Sequence, residues 1–315
     1  MFMPQREPLD AQLRNWLAKV NALTSAQQAA ALTPELVRGH FAAMTSTFVS
    51  HWPRWMQTID TTVVTATTTV PVRIYDPAPD RDKAVCLFFH GGGHMAGSIG
   101  VYDPICRKIA EASGQLVMAV AYRLAPEHPY PQGLEDCLAV ARNPWPALAQ
   151  QRCRVRRQLF VAGDSGGGAV AATISAAAQC DGDLAIERQL LIYPSLDYTL
   201  SLPSVDENGR GLLLDKARIQ WYFDHYFQHN EDRRLASPLY QPLTADLPAT
   251  LVITAGFCPL RDEGVAYVER LRAAGGVCEH RHFAAMIHAY LNLENLVPQA
   301  CAATYDAIGD FLGER

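Results

Sequence analysis

Leu159-Phe160-Val161-Ala162-Gly163-Asp164-Ser165-Gly166-Gly167-Gly168 decides how this chain is read. A short apolar run ends in Gly163, and an Ala-rich helical pattern begins at about Gly167 and runs to Cys180. A strand that turns directly into a helix is the repeating unit of an α/β sheet. The serine stands at the turn itself, in G-x-S-x-G. So tight a turn pushes the Ser165 hydroxyl clear of the backbone, and glycine on either side relieves the crowding. The helix N-terminus also places partial positive charge beside any oxyanion that forms there.

Outward from this turn, short apolar runs recur at Ala84–Phe89, Leu116–Tyr122, Gln158–Ala162, Gln189–Tyr193 and Thr250–Ala255. They suit strands buried on both faces of a mostly parallel sheet. Thr61–Tyr75, rich in Thr and Val, suits strands exposed on one face. Helical patterning lies between, at Pro104–Ala112, Gly133–Arg142, Gly166–Cys180, Arg261–Ala274 and Val297–Leu312. The alternation predicts a doubly wound α/β sheet.

Two regions stand outside it. Residues 9–58 read as helical throughout, with Trp16, Leu17, Phe41, Trp52 and Trp55 for an apolar face. Tyr198–Tyr240 begins as a loop and enters an aromatic-rich helix at about Leu214–Gln228. Both are expected to pack as a cap over the loop edge of the sheet. The expected division is 1–58 as an N-terminal helical cap segment, 59–197 and 241–315 as the core, and 198–240 as a cap insertion.

Of the 315 residues, 49% are hydrophobic and 19% charged, the composition of a soluble globular protein. Lys and Arg number 27 against 32 Asp and Glu, a net charge of -5. That balance speaks against a nucleic-acid binder or a basic membrane-surface protein. Ser165–Cys180 is uncharged but holds Gly, Ser, Thr and Gln, and falls short of the roughly 20 apolar residues of a membrane span. The opening MFMPQREPLD lacks an apolar signal core, so a cytoplasmic protein is expected. No cysteine pair has CxxC spacing, and several cysteines sit in apolar runs, which reads as free thiols in a reducing compartment.

His90-Gly91-Gly92-Gly93 follows the strand-like AVCLFF. Consecutive glycines after a strand let backbone N–H groups turn towards a ligand, the arrangement found in lipases and esterases. The amides of Gly92, Gly93 and Gly166 are the expected oxyanion donors, each worth about 2.7–4 kcal/mol of transition-state stabilisation. GDSGG also surrounds the nucleophile of trypsin-like proteases, but there β-barrel strands flank it, with His and Asp earlier in the chain.

With these motifs the chain resembles the bacterial hormone-sensitive-lipase-like carboxylesterases of the α/β-hydrolase fold, from about Val85 to Leu293. Beside HGGG, it carries Tyr122-Arg123-Leu124-Ala125-Pro126-Glu127-His128-Pro129, Leu134-Glu135-Asp136, Tyr193-Pro194-Ser195-Leu196-Asp197 and Ser237-Pro238-Leu239. GDSGGG at 163–168 looks like the family's GDSAGG. The resemblance implies an esterase acting on short acyl esters with Ser165 as nucleophile. It implies a small-molecule ester as partner, no metal or organic cofactor, and a cap built from N-terminal helices and an insertion after YPSLD. It further implies a homodimer contact along the strand at about Val277–Phe283, although alternating Glu279, Arg281 and Phe283 equally suit a solvated edge. Met286-Ile287-His288-Ala289-Tyr290 resembles the family's M-x-H-G-F, which makes His288 the general base. His280 and His282 alternate in EHRHF; no Cys or carboxylate motif accompanies them, and no metal site is expected.

In one place the pattern breaks. The family's triad acid is the first Asp of D-P-L-x-D-E-G, and this chain reads Cys258-Pro259-Leu260-Arg261-Asp262-Glu263-Gly264. Four readings stay open. Asp262 supplies the carboxylate, because positions four apart share a helix face; Glu263 supplies it from an adjacent direction; a Ser165–His288 dyad runs with Cys258 or water on the far imidazole nitrogen; or the site is degenerate. The last would make the protein a ligand binder on a hydrolase fold, similar to the plant gibberellin receptors. Retention of Ser165, His288 and the glycines favours the esterase.

Overall fold

A computed structural model describes residues 7–26, 32–65 and 68–313. In chain order the elements are α1 (Ala11–Ala26), α2 (Pro34–Phe48), β1 (Thr58–Val64), β2 (Thr69–Tyr75), β3 (Lys83–Phe89), α3 (Ile99–Ser113) and β4 (Leu116–Val120). There follow α4 (Gln132–Arg142), α5 (Trp145–Gln150), β5 (Val155–Asp164), α6 (Gly166–Ala178), β6 (Arg188–Ile192), α7 (Ser204–Glu207), α8 (Lys216–Tyr226) and α9 (Arg233–Ala236). The chain closes with β7 (Ala249–Phe257), α10 (Arg261–Ala273), β8 (Cys278–Ile287) and α11 (Pro298–Leu312).

The described strands form one 8-stranded sheet in the order β1-β2-β4-β3-β5-β6-β7-β8. β1, β2 and β4 pair antiparallel, and β4 through β8 are joined by parallel pairs. The mostly parallel α/β sheet is the one the alternation of runs predicts, and its architecture is the α/β-hydrolase fold that the resemblance implied.

The side-chain period of 2 in a strand divides the core in two. Ala84, Cys86 and Phe88 of β3 join Leu251, Ile253 and Ala255 of β7 on one face, under α3, α8 and α11. Val85, Leu87 and Phe89 join Val252 on the other, under α4, α6 and α10. Burial on both faces is why these strands read as unbroken apolar runs. Among the described residues, no helix is long and apolar enough to cross a membrane.

Helix ends follow local chemistry. Ser98 caps α3 by accepting from Val101 N at 3.2 Å, and Gly114 closes the helix at φ 65. Thr33 caps α2 ahead of Pro34. The helical reading of 9–58 is corrected in part. α2 ends at Phe48, and residues 49–57 have no helix, since Pro53 makes a turn whose carbonyl accepts from Met56 N. Residues 1–6 and 27–31 of the expected N-terminal segment lie outside the described residues.

The closest backbone approach ties β3 to α6. A methyl group on Gly167 would lie 1.9 Å from the Phe89 carbonyl oxygen, whereas one on Gly39 in α2 would meet nothing within 4 Å. Gly167→Ala is therefore expected to destabilise by about 2 kcal/mol or more. Gly39→Ala is expected to stabilise by about 0.5–1 kcal/mol through helix entropy. Urea denaturation of both variants checks this, and an unchanged midpoint for Gly167→Ala would contradict the β3–α6 packing.

Candidate active site

Ser165 follows β5 and caps α6 with φ 52 and ψ -121. For a residue with a Cβ this left-handed conformation costs on the order of 1–3 kcal/mol and persists only when its surroundings enforce it. Here Ser165 N–H donates to Ile192 O at 2.9 Å, while Ser165 O accepts from Ser195 N and Gly168 N, each at 3.0 Å. A side chain at Gly163 is excluded, because a Cβ would lie 2.2 Å from Gly167 O. The two glycines of G-x-S-x-G are thus required by backbone contact, and the hydroxyl is left facing the cavity.

His288 stands just past β8, whose last residue pairs with Phe257 of β7. Its Nε2 lies 2.9 Å from Ser165 Oγ. Its Nδ1 lies 3.1 Å from Cys258 Sγ. Leu260 N–H also donates to that sulfur, at 3.3 Å. Ala289 takes φ 58, in the left-handed region that favours glycine. Burial lowers the His288 pKa to about 3 and pushes the Cys258 thiol up, so thiol and imidazole are both neutral at pH 7.

The structure does not bring Asp262 to His288. The four-apart argument needs one helical turn from 258 to 262, but α10 begins only at Arg261. Asp262 instead accepts from Ser204 N at 2.9 Å and from Arg261 Nε at 2.8 Å. Arg261 also bonds Glu207 at 2.7 Å. Glu263 points elsewhere, its Oε2 accepting from Leu196 N at 2.5 Å and from Asp197 N, and burial raises its pKa well above the carboxylate range. The acidic pair knits α7 and the β6 end to the start of α10.

Gly92 (φ 111) and Gly93 (φ 63) hold conformations that favour glycine, and with Gly166 they line the same cavity as Ser165 and His288. The loop is anchored from behind. Asp164 is buried and accepts from Gly91 N at 2.7 Å and Tyr102 OH at 2.9 Å, and burial raises its pKa to about 7. Tyr122 OH donates to His90 O at 2.6 Å. His94 stacks on Tyr226 at 4.0 Å between centroids and meets Tyr198 OH at 3.0 Å. The YRLAPEHP stretch is structural: Arg123 grips the buried Asp136 through two 2.8 Å bonds.

The cavity encloses about 580 Å³. Its walls include Trp16 and Val20 of α1, Phe41 and Met44 of α2, and Tyr222 and Phe223 of α8. Asn21 Nδ2 donates to Gly211 O at 2.9 Å, joining α1 to the segment ahead of α8. His280 and His282 stand apart, both 2.8 Å from Thr254 Oγ1. Among the described residues no group of three or more His, Cys, Asp or Glu side chains is arranged to hold a metal.

Sequence reasoning missed Arg38. From α2 its Nε donates to Met95 O and its Nη2 to Ala125 O, both at 2.9 Å, and it pairs with Glu127 at 2.6 Å. Tyr102 was missed as well. Their contacts join distant parts of the chain, and no local pattern marks them.

Known proteins were compared with this chain. A family model described as the alpha/beta hydrolase fold matches residues 86–292. Esterase LipI of Mycobacterium tuberculosis is 40% identical over 245 residues, 75% of each chain. Carboxylesterase NlhH of the same species is 37% identical over 243 residues, 75% of this chain and 76% of its own. A crystal structure titled hyperthermophilic esterase from the archeon Pyrobaculum calidifontis superposes with a TM-score of 0.85 and 28% identity, covering 97% of this chain and 98% of that one.

The Arg38 bonds give an expected asymmetry. Arg38→Met removes bonds to two loop carbonyls and should destabilise by about 1–2 kcal/mol. Glu127→Gln breaks only a half-exposed ion pair and should cost less than about 0.5 kcal/mol. Equal losses in urea denaturation would place the anchor in the ion pair instead.

Proposed function

The chain belongs to the alpha/beta hydrolase family and is a serine carboxylesterase, and on that premise we propose how it works. Ser165 attacks the ester carbonyl, His288 takes its proton and returns it to the leaving alcohol, and water then hydrolyses the acyl-enzyme. The amides of Gly92, Gly93 and Gly166 receive the oxyanion. Segments 1–58 and 198–240 act as a cap over the 59–197 and 241–315 core. The apolar cavity of about 580 Å³ supports short-chain acyl esters as substrates. Two copies pair along the edge strand β8, which sedimentation velocity would read as a dimer.

The observation that carries this reading is the continuous line Ser165 Oγ, His288 Nε2, His288 Nδ1, Cys258 Sγ, at 2.9 Å and 3.1 Å across its two gaps. Cys258 stands in the place of the acid. Proton transfer from Ser165 needs Nε2 as acceptor, so Nδ1 must carry the hydrogen and donate to sulfur. The Leu260 amide already donates to that sulfur, which supports Sγ as an acceptor. A neutral thiol orients the ring but stabilises the imidazolium far less than a carboxylate does. The enzyme is therefore slow, a dyad steered by sulfur. The displaced acid also favours a second reading, a hydrolase fold kept for ligand binding.

Hydrolysis of p-nitrophenyl butyrate against a Ser165→Ala blank separates the two. Turnover above the blank supports the esterase; none supports the binder. Cys258→Asp should raise kcat by about 10²-fold or more. The pH profile carries the same logic. Burial holds the folded His288 pKa at about 3, so the base stays unprotonated and the rate stays level from pH 8 to about 5. In Cys258→Asp a carboxylate beside Nδ1 favours the imidazolium, and the acid limb should move up towards neutrality. An acid limb in the same place in both proteins would remove Cys258 from the mechanism.

A further inference from the structure

Apart from histidines, two acidic and one basic side chain line the cavity that opens on Ser165: Asp164, Asp215 and Arg218. Asp164 is spent on Gly91 N and Tyr102 OH. Asp215 caps α8 and accepts from Gly211 N at 2.7 Å. Arg218 has no such commitment. It forms no ion pair among the described residues, and it stands one helical turn before Tyr222 on α8, both side chains lining the cavity. Tyr222 in turn packs on the glycine loop, since a methyl on Gly93 would lie 2.6 Å from its Cγ. The cation thus shares the cavity wall with the tyrosine that packs on a candidate oxyanion loop. The surrounding walls, Trp16, Phe41, Phe48, Leu213 and Phe223, are apolar.

A wholly neutral ligand filling this cavity strips water from the guanidinium and returns nothing. A ligand with its own carboxylate returns a charge-assisted, two-pronged bond in an apolar setting. Resting on the esterase reading above, we propose that Arg218 is a specificity residue and that the preferred substrate is an ester bearing one free carboxylate. The acid stands several bonds from the scissile carbonyl, as in a half-ester of a dicarboxylic acid or an ester of a carboxylate-bearing alcohol. Hydrolysis then releases products that together carry one more negative charge than the substrate.

The test compares matched pairs. On the acyl side, mono-p-nitrophenyl adipate is set against p-nitrophenyl hexanoate; on the alcohol side, 4-acetoxybenzoate against phenyl acetate. The anionic member of at least one pair should show a kcat/KM about tenfold higher, chiefly through KM. Arg218→Gln should erase that preference, lowering kcat/KM of the anionic esters relative to their neutral partners, and Arg218→Lys should restore part of it. Turnover of the neutral esters with no anionic preference in either pair overturns the proposal and leaves the esterase reading intact. Loss proportional for all four esters in Arg218→Gln overturns it too. If no ester is turned over above Ser165→Ala, the esterase reading falls and the anion site is read by binding. Tryptophan fluorescence of the Ser165→Ala protein, with Trp16 in the cavity wall, would compare monoethyl adipate with ethyl hexanoate. Tighter binding of the anion that Arg218→Gln removes supports the site, and equal binding overturns it.

Discussion

Ser165 holds a backbone conformation that an L-residue adopts only under constraint, and the architecture around it is the constraint. β5 delivers the chain to the turn, the end of β6 receives its N–H, and α6 carries it away over bare glycine. None of this can relax separately. A Cβ at 163 strikes the start of α6, and one at 167 strikes the end of β3. The sheet's central order, β3 beside β5 beside β6, is what brings those three strand ends to one point. The glycine loop after β3 stands opposite α6, and Asp164, the residue before the serine, grips that loop by the Gly91 amide. The proposed nucleophile and the proposed oxyanion loop are thus two outputs of one turn.

The imidazole sits between two weak partners in a dry place. A triad normally resolves the cost of burying His⁺ by burying a carboxylate beside it. Cys258 keeps the packing and the hydrogen-bond position but not the charge, and His288 is left strongly resistant to protonation. The remaining acids of the motif cannot step in, because each has a structural engagement of its own. Asp262 closes a bond with Ser204 and Arg261, and Glu263 holds the Leu196 and Asp197 amides.

The sheet was legible because its strands are buried on both faces and stand out as apolar runs, from Ala84–Phe89 to Thr250–Ala255. The serine turn was legible because it demands glycine at fixed offsets. Placing the acid failed at Asp262 for a local reason: whether 258–262 forms one helical turn depends on where α10 starts, and Pro259 and Leu260 delay it to Arg261. Arg38 and Tyr102 left no trace in the pattern. Each acts on a partner brought near by the fold, as Arg38 does on Met95 and Ala125 across 57 and 87 residues.

The bond from Asn21 to Gly211 spans 190 positions in the chain. It joins the two stretches whose side chains wall the cavity. During synthesis α1 and α2 emerge before α8, and their apolar faces wait for it until most of the sheet has been made. The cavity is therefore among the last features the nascent chain can complete. Contacts so far apart in sequence slow the search for the native state. The substrate chamber is, in folding terms, a late and long-range product of a chain whose catalytic turn is local.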